Sequence, residues 1–103
     1  MPNYIKVAKV NEVPPGTIRE FQANGKVIAL SNIEGKFYAI DNTCLHRGGP
    51  LGAGALEGEV VTCPWHGWEY KVSTGEAVFN PEIKVQKYDV KVEGDDIAVG
   101  FDA

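Results

Sequence analysis

The chain has 103 residues, 44% of them hydrophobic and 23% charged, an ordinary composition for one folded domain spanning 1–103 rather than for a disordered tail. A formal net charge of −4 argues against nucleic acid, whose phosphates demand a basic face. No apolar run approaches the roughly 20 residues that cross a bilayer, and Met1-Pro2-Asn3-Tyr4-Ile5-Lys6 lacks the long apolar region of a secretory signal, so no membrane partner is expected.

Taken in order, the periodicity is that of strands. Tyr4-Ile5-Lys6-Val7-Ala8 is the first candidate, and Pro14-Pro15-Gly16 interrupts the chain after it. Thr17-Ile18-Arg19-Glu20-Phe21 and Lys26-Val27-Ile28-Ala29-Leu30 flank Asn24-Gly25, a dipeptide that tolerates positive φ and predicts a hairpin. Glu34-Gly35 turns the chain into Lys36-Phe37-Tyr38-Ala39-Ile40, which ends at Asp41-Asn42-Thr43. Residues 47–58 hold five glycines and a proline and predict an irregular loop, with one helical turn at Leu51-Gly52-Ala53. Glu59-Val60-Val61-Thr62 and Trp68-Glu69-Tyr70-Lys71-Val72 read as strands, Ser73-Thr74-Gly75-Glu76 as a turn and Asn80-Pro81 as a further loop. At the end, Val85, Tyr88, Val90 and Val92, then Ile97, Val99 and Phe101 beyond Gly94-Asp95, alternate as a hairpin does. Short strands with Gly, Pro and Asn punctuation predict an all-β fold, an antiparallel sandwich or barrel.

The chain has two cysteines and two histidines, and they sort into two short stretches, Cys44-Leu45-His46 and Cys63-Pro64-Trp65-His66. Sixteen residues separate His46 from Cys63, so two loops of one thiol and one imidazole each are expected to converge on one metal centre. Such a set suits zinc or a Rieske [2Fe–2S] cluster, in which two His replace two Cys on one iron. Zinc sites usually begin with two cysteines in one tight knuckle, whereas one thiol and one imidazole per loop matches an asymmetric iron pair better. With both cysteines taken as ligands none remains for a disulfide, which fits a reducing cytoplasm.

The runs Cys44-Leu45-His46-Arg47-Gly48-Gly49-Pro50-Leu51 and Cys63-Pro64-Trp65-His66-Gly67-Trp68-Glu69-Tyr70 strongly resemble those of the Rieske family, and the whole chain is about the size of a Rieske-type ferredoxin. The resemblance implies a Rieske-type antiparallel β fold with a cluster-binding subdomain of two ligand loops, at about 42–80, at one end. It implies one [2Fe–2S] cluster per chain, with Cys44 and Cys63 on one iron and His46 and His66 on the other. Two thiolates instead of four leave the centre less negative, so its potential lies above the roughly −400 mV of plant-type ferredoxins. The imidazoles can shed protons when oxidised, so the potential is expected to fall at alkaline pH.

High-potential respiratory members carry a third cysteine in each loop, forming a disulfide; the matching residues here are Gly49 and Trp65. They also carry a Ser where Trp68 stands. Tyr70 matches a tyrosine whose hydroxyl bonds a ligand sulfur in those proteins, although a core strand aromatic is the alternative. Two features lost and one kept place this chain towards the low end of the Rieske range, near −150 mV. Within the same resemblance Trp65 shields the cluster or forms an apolar docking surface, with a plain packing role as the alternative, and Arg47 offsets the charge of the reduced cluster or pairs with a surface Glu. Gly48, Pro64 and Gly67 shape the loops, and Pro81 belongs to a covering loop or is a plain turn proline. The acidic turn at Glu93, Asp95 and Asp96 steers a basic partner or is merely solvated.

Both histidines are taken as ligands and no second domain is present, so the mononuclear iron site of a ring-hydroxylating oxygenase cannot be built. A Gly-rich dinucleotide fingerprint is missing as well. The expected role is therefore a cytoplasmic one-electron carrier, not an enzyme, passing electrons from a flavin-containing reductase to a terminal oxygenase. The alternatives are a Rieske-like small subunit beside the large subunit of an assimilatory nitrite reductase, and a zinc-stabilised interaction module.

Overall fold

A computed structural model describes residues 2–44, 48–65 and 67–102. Eleven strands are found among the described residues: β1 Pro2–Lys9, β2 Thr17–Ala23, β3 Lys26–Ile33, β4 Lys36–Asp41, β5 Ala55–Glu57, β6 Val60–Thr62, β7 Glu69–Lys71, β8 Glu76–Ala77, β9 Asn80–Lys84, β10 Lys87–Glu93 and β11 Asp96–Asp102. The only helical elements among them are 3-10 turns at Val10–Glu12 and Leu51–Ala53. All pairings are antiparallel, in a six-stranded sheet of order β1-β11-β10-β4-β3-β2 and a five-stranded sheet of order β5-β6-β7-β8-β9. The outer strands β1 and β2 of the larger sheet approach each other, curling it towards a barrel.

Turn chemistry sets the larger sheet. Asn24 and Gly25 lie at φ 53° and 73°, as the expected hairpin requires, and the β2–β3 register runs unbroken from Ala23↔Lys26 to Thr17↔Asn32. β3 is buried on both faces. Ile28 and Leu30 join Tyr88, Ile97, Val99 and Phe101 in one core, while Ala29, between them, faces a second core with Ile40, Val61, Tyr70 and Val72. Burial on both faces explains the nearly continuous apolar run along β3, where a half-solvated strand would alternate.

The five-stranded sheet is an insertion between two strands that are neighbours in the larger one. The chain leaves at the end of β4 and returns at β10, which pairs with β4 through Lys87↔Ile40 and Tyr88↔Ala39. Asp41 N–H donates to the Gln86 carbonyl at 2.8 Å, joining exit to return. The insertion is thus held as one unit on the two central strands of a regular scaffold.

Three expectations are corrected here. Within the stretch read as irregular, Ala55–Glu57 forms a strand, because Gly58 at φ 59° turns it back onto Val60–Thr62. Asn80-Pro81 opens β9 instead of a loop; β9 is an outer strand, where a residue without an N–H removes no obligatory ladder bond. Val85 precedes the terminal hairpin and packs in the core of the insertion.

Candidate metal centre

The two cysteine loops are built alike. In the first, Cys44 N–H donates to the Gly49 carbonyl at 2.9 Å and Gly48 N–H donates to the Cys44 carbonyl at 2.8 Å. In the second, Cys63 N–H donates to the Trp68 carbonyl at 2.7 Å and Gly67 N–H to the Cys63 carbonyl at 3.1 Å. Gly48 and Gly67 hold the same place, four residues past their cysteine, at φ 75° and 78°. A left-handed residue closes each turn there, and glycine adopts it without steric cost.

The two cysteines form no disulfide, and each is only 2% exposed. The loops interlock. A Cβ at Gly49 would lie 2.6 Å from Cys63 Sγ and 3.1 Å from Trp65 Cγ, so the first loop rests on the thiol of the second, with the indole beside it. The two positions that carry the disulfide in respiratory members therefore face each other here as Gly49 and Trp65. No bridge is possible, and only the absence of a side chain at 49 permits the approach.

Tyr70 is fully buried on β7, and its hydroxyl lies 3.4 Å from Cys44 Sγ. A metal-bound thiolate carries no proton, so in that state the hydroxyl is the donor. Both readings of Tyr70 hold together: the ring fills the core of the insertion and the hydroxyl reaches a thiol. Trp68 is half-buried, its ring edge-on to Phe79 at a centroid distance of 4.8 Å. Trp65 at 57% exposure, Phe79 at 58% and Val78 at 45% leave aromatic and aliphatic surface in water, with Phe79 tied to the second loop through its contact with Trp68.

Leu45, His46, Arg47 and His66 lie outside the described residues. Pro64 is exposed in the second loop, and Pro81 sits on β9. The acidic turn is at the far end of β10 from the junction, six residues or about 20 Å away. There Asp96 pairs with Lys6 at 3.2 Å and Lys9 at 3.7 Å, and the hydrogen bond from Lys6 holds its carboxyl below the usual range. That arrangement supports the solvated reading over steering. The residue that sequence reasoning missed is Asn42. It stands in the polar triplet 41–43, read only as the end of a strand, yet it is 6% exposed and heavily bonded.

Two buried cysteines outside any disulfide, on interlocked loops and one with a hydroxyl in reach, form a soft donor set that fits an iron–sulfur cluster. Residues 3–99 match the Rieske [2Fe-2S] domain, and the chain belongs to that family. It is 39% identical over 92 residues to the ferredoxin component of the naphthalene 1,2-dioxygenase/salicylate 5-hydroxylase systems of Ralstonia sp., covering 88% of each chain. A solved complex of reduced oxygenase and oxidised ferredoxin in carbazole 1,9a-dioxygenase contains a chain of the same fold. It is 31% identical, with a TM-score of 0.85, and the match covers 94% of this chain and 92% of that one. A nitrite reductase small subunit from Mycobacterium tuberculosis superimposes with a TM-score of 0.91 over 100% of this chain and 98% of its own. At 18% identity that likeness shows the fold alone. The domain carries a Rieske-type [2Fe–2S] cluster, which sets the zinc alternative aside, and it is an electron carrier, not a catalyst.

Proposed function

We propose that this chain is the ferredoxin of a ring-hydroxylating oxygenase system, taking one electron at a time from a flavin-containing reductase and delivering it to a terminal oxygenase. The observation that carries the reading is the pair of buried, unoxidised cysteines at the base of twin loops, beside exposed Trp65 and Phe79. Cys44 and Cys63 hold the inner iron, and His46 and His66 hold the outer one. When bound, the cluster supplies a one-electron store and nothing else. The protein fixes the thiols, keeps water from them and offers a surface to partners.

That surface is Trp65 with Val78 and Phe79. Uncharged and apolar, it makes contact without matching charges, so one patch serves reductase and oxygenase in turn. Among the described residues no helix is long and apolar enough to cross a membrane, in keeping with action in the cytoplasm. The nitrite reductase role stands behind this one, since its structural likeness comes with 18% identity against 39% for the dioxygenase ferredoxin.

The test is a redox titration followed by EPR, then reduction of a terminal oxygenase by the reduced protein. A Rieske signal at a potential near −150 mV is expected. Trp65→Ala should slow delivery to the oxygenase while leaving the potential in place. A clearly positive potential, or delivery indifferent to Trp65, would overturn the assignment.

A further inference from the structure

Asn42 ends the scaffold and begins the first cysteine loop, and nothing in the carrier role yet uses it. Its side chain bonds in two directions: Nδ2 donates to Glu20 Oε2 on β2 at 2.8 Å, and Oδ1 accepts from Gly52 N–H at 2.6 Å. Its backbone is engaged as well, the carbonyl accepting from Leu51 N–H at 2.7 Å and the N–H donating to the Val27 carbonyl at 3.3 Å. The residue just before loop 43–50 is therefore bonded to the two residues just after it. Thr43 and Pro50 are themselves bridged, which closes a ring around Cys44. The closure is tight. A Cβ at Gly52 would lie 2.4 Å from Glu20 Cγ and 2.8 Å from Asn42 Oδ1, so glycine is needed there for space alone.

We propose that Asn42 and Glu20 form a positioning pair that clamps both ends of the first ligand loop to the six-stranded sheet and thereby fixes Cys44 relative to Cys63. This rests on the carrier reading for the identity of what the cysteines hold. The physical case is that ligands stay in place only when the groups behind them are themselves bonded, and loss of such partners typically weakens metal retention by about 10–100-fold. Tyr70 steadies Cys44 from inside the insertion, while the Asn42–Glu20 pair holds its loop from the scaffold side. Between them they reach the loop from both parts of the molecule.

The experiment uses the holoprotein at neutral pH. Asn42→Asp keeps the acceptor for Gly52 N–H but sets a carboxylate against that of Glu20. Adding Glu20→Gln to it restores one donor–acceptor pair in the reverse direction. The readouts are the rate of iron transfer to a chelator, the EPR spectrum of the reduced protein and the unfolding midpoint. Asn42→Asp should lose its cluster about tenfold faster and show an altered EPR line shape, and the double variant should return both to near wild type. If Asn42→Asp does not fold, Glu20→Ala, which removes the acceptor together with the methylene packed on Gly52, should accelerate cluster loss in the same sense. A lowered unfolding midpoint with unchanged cluster loss and EPR would reduce the pair to ordinary structure and overturn the proposal, as would a double variant no better than the single one. A wild-type protein without a Rieske signal would instead overturn the carrier reading, and the proposal with it.

Discussion

The two sheets reach order by different means. Strands of the six-stranded sheet run six to eight residues, joined where the chain reverses directly by glycine turns, and enclose a core of ordinary apolar side chains such as Ile28, Leu30, Ile97 and Phe101. Strands of the five-stranded sheet run two to five residues, too short to be stable by ladder bonds alone. Its buried centre includes Cys44, Cys63 and the Tyr70 hydroxyl, groups that pack as small core members and can also serve as ligands or as a donor to one. One part of the molecule is expected to stand by packing alone, the other to gain stability from what it carries. The same contrast is familiar wherever metal-binding free energy becomes folding free energy.

The sharpest way to break the comparison is to remove a ligand. Cys63→Ser is expected to abolish the visible colour and the acid-labile sulfide of the purified protein. Amides of β5–β9 should then lose hydrogen-exchange protection, while those of β3, β4 and β11 keep it. Equal loss in both sheets would show that the scaffold depends on the insertion through the core that Ala29 and Ile40 share with it.

That division is partly visible in the sequence. Asn24-Gly25 marks its hairpin because few other residues accept two successive positive φ angles, and the alternation of Ile97, Val99 and Phe101 marks a strand, although the small Ala98 and Gly100 between them are buried as well. The insertion is less legible, for a physical reason. Ala55-Leu56-Glu57 has weak β propensity and becomes a strand only because Val60–Thr62 lies beside it; Asn80-Pro81 looks like a loop unless an outer edge is known to be available. The cysteine loops can be read from residue identity and spacing. Asn42 cannot, since an asparagine before a loop looks like turn chemistry, and its partners at 20 and 52 are distant in sequence.

Within the insertion, Tyr70 allows a finer test. Its hydroxyl, 3.4 Å from Cys44 Sγ, withdraws charge from the thiolate and favours the reduced cluster, the state with more negative charge to share. Tyr70→Phe keeps the buried ring and removes only that bond. The potential should fall by about 20–60 mV, the equivalent of a net hydrogen bond of roughly 0.5–1.5 kcal/mol acting mainly on one redox state. Potentiometry with EPR detection checks it. An unmoved potential would leave Tyr70 as packing, and the insertion would then differ from the scaffold in its cysteines alone.

The scaffold has its own buried tyrosine, and the two make a matched pair. Tyr88 on β10 is 4% exposed, tilted against Phe101 at 5.2 Å, with its hydroxyl donating to Asp41 Oδ1 at 3.4 Å. Burial, then the charge of Asp41 and the bond to it, raise its pKa from 10.0 to about 12. The native protein therefore keeps this proton when the unfolded chain has released it. The resulting stability is fully present below pH 10 and is lost as pH rises through about 12. A hundredfold difference in proton affinity between folded and unfolded chain corresponds to about 2.7 kcal/mol. Screening at the open end of the bond reduces that, so a loss on the order of 1 kcal/mol is expected. Lysines titrate in the same range, and the difference between wild type and Tyr88→Phe isolates the tyrosine. Denaturant unfolding from pH 8 to 12 should give curves that converge as pH rises, the variant being less stable at pH 8 and lacking the extra alkaline slope. Parallel curves would mean that neither burial nor Asp41 raises the affinity of the Tyr88 hydroxyl for its proton. Asp41 is also where the chain leaves the scaffold for the first loop. Convergence accompanied by faster cluster loss would show the two parts coupled at this joint, whereas convergence alone would keep them separate.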